Sequence, residues 1–380
     1  MNKSAARSVA IGALCMASAA AGCAGKADEA KEFGTSSPEL RRDRPCPDGQ
    51  PASVRYRVTE LGSLAAPSPS SDFVAVGRLN EKTQIVGTSF ATGPSGLEFH
   101  AFLWQRGKLR DLGTAGGPQS GAKSINHAGL IVGSSQLAGS FDSHAFVWHG
   151  RSMEDLGTLG GRFSEASDVN ERRQIVGFAQ IAGADAPFHA FLHDRGRMRD
   201  LGTLGGAASF ATAINEASQV VGYAEGALSG VVHAFVWQNG VMTAVLGEEQ
   251  ESHAYDINER GEIVGDVGGV PHAFLYSDGQ LTMIGPSEAV TFAFAINDLG
   301  AVVGVSSHDR PQRPDLSGPE GYVSASGQFQ LLRDLTDSCW VAISPSDIND
   351  HGQIAAIAYP CEGELRRHAL LLDPTRSCGD

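Results

Sequence analysis

Residues 164–202 read SEASDVNERRQIVGFAQIAGADAPFHAFLHDRGRMRDLG and hold one complete copy of a unit that recurs along the chain. The unit contains four short apolar runs, which carry in order Asn170, Ile175-Val176-Gly177, His189-Ala190-Phe191 and Asp200-Leu201-Gly202. Short runs rich in Val, Ile and Phe, separated by Gly-containing turns, are typical of β-strands. The unit therefore predicts four strands, named a, b, c and d below.

The unit recurs at intervals of 39 to 52 residues, as the asparagine that ends strand a shows. In strand c, for example Phe99 to Trp104, both alternating faces are apolar or small, which indicates sheets packed on both sides. Four strands per unit, stacked in this way, predict a β-propeller. The competing architecture is an open β-solenoid, which needs polar caps at both ends. The asparagines are Asn80, Asn126, Asn170, Asn215, Asn258, Asn297 and Asn349.

The two ends of the repeat region favour a closed ring. The last unit stops after a strand c at His368–Asp373, whereas Tyr56–Gly62 matches a strand d and precedes the first strand a. A first strand that completes the last sheet removes free edges. The sequence thus predicts an all-β fold, a seven-bladed β-propeller closed by an N-terminal strand that completes the last blade.

The repeated motifs resemble those of a known group of exported proteins. The His-Ala-Phe triplets, Asp-Leu-Gly-Thr-Leu-Gly-Gly at 155–161 and Ile-Asn with Gln-Val-Val-Gly at 214–222 are similar to the HAF family of bacterial extracellular repeats. The similarity covers residues 54–373. It implies secretion and a repeat fold, and it implies no catalytic activity, substrate or binding residue.

The N-terminus has the pattern of an export signal. Residues 1–8 are basic, residues 9–21 are small and apolar, and Gly22-Cys23 follows, as in a bacterial lipoprotein signal. The alternative is ordinary signal-peptidase cleavage near Ala17-Ser18-Ala19. We expect lipidation of Cys23, contact with the membrane through that lipid, and a location in the cell envelope at the outer membrane or cell surface.

This pattern divides the chain into three parts. Residues 1–22 are a lipoprotein signal peptide, residues 23–53 are the lipidated cysteine with a flexible polar tether, and residues 54–380 are the propeller of HAF-type repeats. The formal net charge of −14 argues against a nucleic-acid partner, because nucleic-acid binding needs cations to neutralise phosphates.

The recurring polar residues are interpreted as structural. The strand c histidines lie on different units, too far apart to share one metal ion, and each is expected to hydrogen-bond a neighbouring loop. The sequences 168–170, 256–258 and 347–349 (Asp-x-Asn) resemble fragments of calcium loops without their later bidentate Glu. They are expected to be turns in which Asn and Gly are left-handed. No catalytic residue, metal or cofactor is predicted, and the chain is expected not to be an enzyme.

Four cysteines lie outside the signal and the lipidation position. Export places them in an oxidising compartment. The predicted strand order puts Cys339 beside Cys361 within the last unit, and Cys46 near Cys378 where the two chain ends meet. Two disulfides, Cys339–Cys361 and Cys46–Cys378, are therefore predicted, with free thiols or a mixed disulfide as the alternative.

Variable loops on one face are the predicted ligand-binding region. The d–a and b–c loops share this face, and two of them depart most from the repeat. The predicted function is a lipid-anchored binding or scaffold module for a protein or glycan ligand on that face. The alternative is a propeller lyase or hydrolase acting on an extracellular polysaccharide. The candidate ligand-binding residues are Glu248, Glu249, His308, Asp309, Arg310, Arg313 and Asp315.

Overall fold

The computed structural model describes residues 53–65, 74–93, 96–183, 185–227, 231–247, 250–307, 319–336, 339–361 and 366–377. Regular structure in these ranges is β-strand, apart from a short 3-10 helix at Leu332–Leu335. The all-β prediction is confirmed. Within the described ranges, no helix has the length and apolar character needed to cross a membrane.

The strands are numbered in chain order. They are β1 (Ser53–Glu60), β2 (Val74–Leu79), β3 (Ile85–Gly93), β4 (Gly96–Gln105), β5 (Lys108–Asp111), β6 (Gly116–Ile125), β7 (Ile131–Leu137), β8 (Ser143–Trp148), β9 (Met153–Asp155), β10 (Gly160–Val169), β11 (Ile175–Ile181), β12 (Phe188–Asp194), β13 (Arg197–Asp200) and β14 (Gly205–Ile214). They continue as β15 (Val220–Gly226), β16 (Val232–Gln238), β17 (Val241–Ala244), β18 (Ser252–Ile257), β19 (Ile263–Val267), β20 (His272–Ser277), β21 (Gln280–Met283), β22 (Val290–Ile296), β23 (Val302–Ser307), β24 (Glu320–Ala325), β25 (Gln328–Leu331), β26 (Trp340–Ile348), β27 (Ile354–Pro360) and β28 (His368–Ser377).

Consecutive strands pair as antiparallel four-stranded units in the order a, b, c, d. The units begin at β2, β6, β10, β14, β18 and β22, and single parallel pairs between β4 and β6 and between β8 and β10 link the first three into one sheet path. The last unit takes β26, β27 and β28 from the C-terminal end and β1 from the N-terminal end. β1 pairs with β28 along its whole length, from Ser53 opposite Ser377 to Glu60 opposite Leu370.

The apolar runs are buried between neighbouring units. The aromatic residue of each His-Ala-Phe triplet is almost fully buried, as in Phe191 and Phe235. One core cluster joins Val176 and Leu192 of the third unit to Ile214 and Phe235 of the fourth. Packing on both faces of each sheet explains why these strands carry little charge.

Strand a carries a bulge at a recurring place. In the third unit, the pairing with strand b shifts between Ala166 and Asp168, which leaves Ser167 out of the ladder and redirects the side chains beside it. The facing residue on strand b is Gly177, where a Cβ would lie 2.0 Å from the Glu165 carbonyl oxygen. The glycine of the Ile-Val-Gly motif is therefore required by close approach of two backbones.

The recurring asparagines do not have the left-handed backbone conformation expected of them. A left-handed backbone occurs three residues after the asparagine, at glycine in some units and at Arg173 or Ser218 in others, and at none of the asparagines. The prediction is right for the glycines and wrong for the asparagines. The side chain is the reason for the asparagine: Oδ1 of Asn215 accepts from the backbone N–H of Gln219, which holds the a–b turn together.

The same asparagines connect the units to one another. The Nδ2 atom of each donates to the backbone carbonyl of the asparagine in the next unit, and Asn349 donates back to Asn80 at 3.3 Å. The remaining distances lie between 2.9 and 3.2 Å. We call these residues the asparagine ring: Asn80, Asn126, Asn170, Asn215, Asn258, Asn297 and Asn349.

The strand c histidines mostly bind a residue of their own unit. Nδ1 of His189 lies 2.8 Å from the Asp200 carboxylate at the end of strand d, and other units repeat this contact. The expected partner, a neighbouring loop, is found for His233, whose Nδ1 lies 3.1 Å from the Gln250 carbonyl oxygen. The Asp-Leu-Gly motif is thus explained, since Asp200 also accepts from the N–H of Gly202.

A disulfide joins Cys339 and Cys361, at the start of strand a and the end of strand b of the last unit, with the two Cα atoms 5.3 Å apart. The second predicted disulfide, Cys46–Cys378, and the predicted lipidation position Cys23 lie outside the described residues.

Candidate functional site

The asparagine ring places strand a of each unit around a common centre, so residues on strands a and b form the inner wall. Most inner positions are alike from unit to unit. Two groups of side chains differ between units: a charged cluster next to the asparagine ring, and a row of aromatic rings farther along the strands.

The charged cluster is built around Arg78, two residues before the first asparagine of the ring. Its Nη2 donates to Asp256 at 2.6 Å, and its Nε lies 3.6 Å from Asp168. Asp347 is the third buried carboxylate near the guanidinium. Burial raises the pKa of Asp347 to about 7 and also raises the pKa of Asp256, while Arg78 acts in the opposite direction on both. These aspartates are the first residues of the Asp-x-Asn sequences.

Two of these aspartates also accept hydrogen bonds from the backbone of the next unit. Asp168 accepts from the backbone N–H of Ile214 at 3.0 Å, and Asp256 accepts from that of Ile296 at 2.9 Å. The cluster borders a cavity of about 260 Å³, whose acidic rim includes Glu216. Rim carboxylates also bind backbone N–H groups of the preceding unit. Because these carboxylates bind backbone N–H groups of neighbouring units, we interpret this end as structural. Among the described residues, no His, Cys, Asp and Glu side chains group as a metal site would require.

The aromatic row crosses four consecutive units. Each ring contacts the next with centroids 5.0 to 6.2 Å apart. All members are half-buried, on strands a and b apart from the first, which begins a strand c. Partly exposed aromatic rings in contact with one another offer an apolar surface against which another ring can pack. The row consists of Phe188, Phe178, Phe210, Tyr223, His253, Tyr255, Phe294 and Phe292.

A histidine–aspartate pair lies in the middle of the row. His253 on β18 and Asp266 on β19 are directly opposite each other, and Nδ1 of His253 lies 3.3 Å from Oδ2 of Asp266. The Asp266 side chain is 4% exposed and that of His253 is 24% exposed. Oδ1 of Asp266 is buried without a hydrogen-bond partner. The ring of Tyr223 meets that of His253 edge to face at 5.0 Å.

This pair occurs in one described unit only. The equivalent paired positions hold Ala75 and Thr88, Gly121 and Ser134, Glu165 and Phe178, Phe210 and Tyr223, Phe292 and Val305, and Ser344 and Ile357. The fold therefore accepts small, aromatic, aliphatic or acidic residues at this place and does not itself require a histidine paired with a carboxylate.

One end of the aromatic row lies beside polar side chains of the second and third units. Nζ of Lys123 lies 3.1 Å from Glu165, and the hydroxyl of Ser134 donates to the same carboxylate at 3.1 Å. Burial, with a smaller contribution from the Glu165 carboxylate, raises the pKa of Tyr223. The inner wall thus offers aromatic faces with hydrogen-bonding groups next to them, the combination that binding sites for polar ring compounds use.

The candidate residues chosen from sequence lie elsewhere. Glu248 and Glu249 belong to the segment between β17 and β18, and His308, Asp309, Arg310, Arg313 and Asp315 to the segment between β23 and β24; all are outside the described residues. The sequence-based interpretation missed the aromatic row, Arg78 and the His253–Asp266 pair. The available signal was a position-by-position alignment of the repeats, in which these residues depart from their equivalents.

A scan against protein-family models and a search of curated proteins find no match. Solved structures do match. The β-propeller domain of the Trilobed protease from Pyrococcus furiosus, whose description gives an open velcro topology, aligns at 10% identity with a TM-score of 0.54, over 81% of this chain and 98% of that one. A puromycin-hydrolyzing peptidase of Mycobacterium tuberculosis aligns at 10% identity and a TM-score of 0.52, over 83% of this chain and 56% of that one.

The acylaminoacyl peptidase of Pyrococcus horikoshii aligns at 10% identity and a TM-score of 0.51, over 80% of this chain and 52% of that one. The chain therefore spans about half the length of these two peptidases. The expectation that the chain is not an enzyme is wrong, since the solved structures that it resembles come from a protease and peptidases. At this level of identity, the likeness shows that the chain has the fold of a β-propeller.

Proposed function

We propose that the chain is a closed seven-bladed β-propeller of the HAF type that hydrolyses an extracellular polysaccharide held against its aromatic row. The observation that carries this proposal is the aromatic row itself, which places half-buried rings on the inner strands of four consecutive units. The pairing of β1 with β28 and the return of the asparagine ring from Asn349 to Asn80 support closure and the count of seven blades.

The chemistry of the row favours a glycan over other polymers. The C–H faces of sugar rings stack on aromatic rings, and their hydroxyl groups need donors and acceptors at the rim of the stack. Lys123, Ser134 and Glu165 supply such groups at one end of the row. A surface spread over four units fits several sugars of a chain better than a single small molecule.

The proposed location is the cell envelope, with the lipid at Cys23 holding the propeller at the membrane. The segments that carry Glu248, Glu249, His308, Asp309, Arg310, Arg313 and Asp315 connect strands on the d–a and b–c face. We propose that they contact the parts of the polymer that extend beyond the aromatic row.

Hydrolysis is tested by incubating the full chain with a panel of neutral and acidic polysaccharides and measuring new reducing ends. We expect release from at least one polymer, and a loss of at least tenfold in Phe210→Ala. The matched control is Val241→Ala, which removes an exposed apolar side chain from an outer strand and should leave the rate unchanged.

Three results would contradict this proposal. Unsaturated sugar products absorbing in the ultraviolet would indicate a lyase. Release of amino groups from peptides, with no reducing ends, would indicate a peptidase. Binding of polysaccharides without any product would remove the hydrolase assignment.

The membrane anchor is tested separately. Cys23→Ser should move the protein from the membrane fraction to the soluble fraction, because a lipid is attached to the thiol. Cys15→Ser, within the apolar part of the signal, is the control and should not change the partition. Equal partition of both variants with the wild type would disprove lipidation.

A further inference from the structure

We infer that His253 is the general base of the proposed hydrolysis and that Asp266 is the positioning residue that orients it. This inference rests on the proposed function and adds to it a residue in contact with the reacting water. The catalytic position would be the middle of the aromatic row, where a bound polymer crosses from the fourth unit to the fifth.

The geometry gives His253 one occupied and one available nitrogen. Nδ1 faces Oδ2 of Asp266 at 3.3 Å, whereas no described residue hydrogen-bonds to Nε2. A carboxylate at Nδ1 favours the tautomer with the proton on Nδ1, so Nε2 carries the lone pair. The imidazole is partly exposed beside the faces on which the polymer is proposed to stack.

The carboxylate of Asp266 has one oxygen that its contact with His253 does not use. Oδ1 is buried and has no hydrogen-bond partner, an arrangement that costs free energy and needs a compensating gain. A carboxylate with one unused oxygen keeps its negative charge available to the imidazolium that forms when Nε2 takes a proton. This is the electrostatic role of the orienting acid in histidine-based hydrolysis.

The repeat itself argues against a purely structural role. Structural histidines of this fold recur, as His144 and His189 show with the same aspartate contact in successive units. The His253–Asp266 pair lies where the other described units hold different residues, including Glu165 opposite Phe178, and fold without a histidine–carboxylate pair. A histidine paired with a buried carboxylate at this place in one described unit alone points to a task that the fold does not impose.

In the proposed hydrolysis, a water molecule attacks the anomeric carbon. Nε2 of His253 takes a proton from this water while the water oxygen forms a bond to the anomeric carbon, and the bond from that carbon to the glycosidic oxygen breaks. The leaving oxygen takes a proton from solvent water on the opposite face of the sugar, and the imidazolium gives its Nε2 proton to the hydroxide that remains. The products are two sugars with the elements of one water molecule added, and His253 returns to its neutral form.

The test uses the polysaccharide identified in the reducing-end assay. His253→Ala should lower kcat by about 10²- to 10⁴-fold, the usual contribution of a general base, a larger change than the one in KM that loss of its stacking ring causes. Added imidazole should restore part of the rate. His149→Ala, which removes a histidine on the outer surface that contacts Glu154, is the control and should keep the wild-type rate.

Asp266→Asn tests the positioning role by the rate and by the tautomer of His253. Loss of the carboxylate that faces Nδ1 should lower kcat at least tenfold. Histidine NMR of the same two proteins should show the Nδ1–H tautomer of His253 in the wild type and its loss in Asp266→Asn.

The outcomes separate the two proposals. An active wild type with an equally active His253→Ala would overturn the role of His253 and leave the hydrolase assignment intact. An inactive wild type would overturn both. An unchanged kcat and an unchanged tautomer in Asp266→Asn would overturn the role of Asp266 alone. Thermal unfolding of each variant identifies any loss of rate caused by unfolding.

Discussion

The asparagine ring and the aromatic row lie on the same inner strands, yet they are constructed differently. Each unit contributes the same asparagine to the ring, and each asparagine binds its own turn and the next unit. In the row, equivalent positions hold Phe210, His253 or Gly121. Residues that the fold needs are copied with the repeat, whereas positions that the fold does not constrain can change one at a time. In a repeat protein, departures from the repeat therefore mark the places to search for function.

The largest expected effect is at the asparagine-ring end. Arg78→Met should lower the free energy of unfolding by about 3–5 kcal/mol, because three buried carboxylates lose their common cation. Denaturant unfolding measures this. Arg57→Met removes an arginine whose side chain is 69% exposed and whose partner is Asp373, so it should cost less than about 1 kcal/mol. Equal costs for the two variants would show that the buried cluster does not stabilise the fold.

A smaller loss of stability is expected within the ring itself. Asn215→Ala removes the acceptor for the N–H of Gln219 and the donor to the Asn258 carbonyl, which should lower the free energy of unfolding by about 1–3 kcal/mol. Gln280→Ala, on the exposed outer strand β21, is the control for the same measurement and should stay within about 0.5 kcal/mol of the wild type. A neutral Asn215→Ala would refute the structural role of the ring.

In the aromatic row, a substitution should change ligand binding more than it changes stability. Phe210→Leu keeps much of the apolar volume of a half-buried side chain, so the cost in unfolding free energy should be about 1 kcal/mol or less. The stacking face is lost, so binding of an oligosaccharide, measured by calorimetry, should weaken. A large loss of stability with unchanged binding would assign the row to the core instead of the site.

A further expected effect depends on pH. The pKa of Asp347 is raised to about 7 in the folded chain and is about 4 when unfolded. Its protonated form therefore favours folding at low pH, and this contribution is lost as pH rises from about 4 to about 7. Asp347→Asn should lack this part of the pH dependence, which melting temperatures between these pH values would reveal. Parallel curves for the variant and the wild type would contradict the raised pKa.

Much of the fold could be predicted because the same short sequence motifs recur in each unit. The Ile-Val-Gly and His-Ala-Phe triplets show where strands b and c lie, since burial on both faces needs apolar residues and close approach of strands needs Gly177. The left-handed turns after the asparagines could also be placed. The role of the asparagines could not be predicted, because the hydrogen bond from Nδ2 to the next unit is invisible within one copy.

The site was less accessible to sequence reasoning. Loop variability directed attention to residues such as His308 and Glu248, whereas the structure describes its distinctive chemistry on strands. His253 and Asp266 are 13 residues apart and resemble ordinary polar residues in the sequence; the antiparallel register of β18 and β19 makes them neighbours. Arg78 and Asp256 are 178 residues apart and meet because strand a of each unit surrounds the same centre.

The sequence alone determined the strand content, the length of the repeat and the pairing partner of each strand within a unit, because these depend on local apolar patterning and on turn residues. Tertiary structure decided which side chains of different units meet. The aromatic row, the cluster around Arg78 and the hydrogen bonds of the asparagine ring all join residues from separate copies. Contacts of this kind depend on how the sheets are arranged around the centre, and no pattern within a single repeat encodes that arrangement.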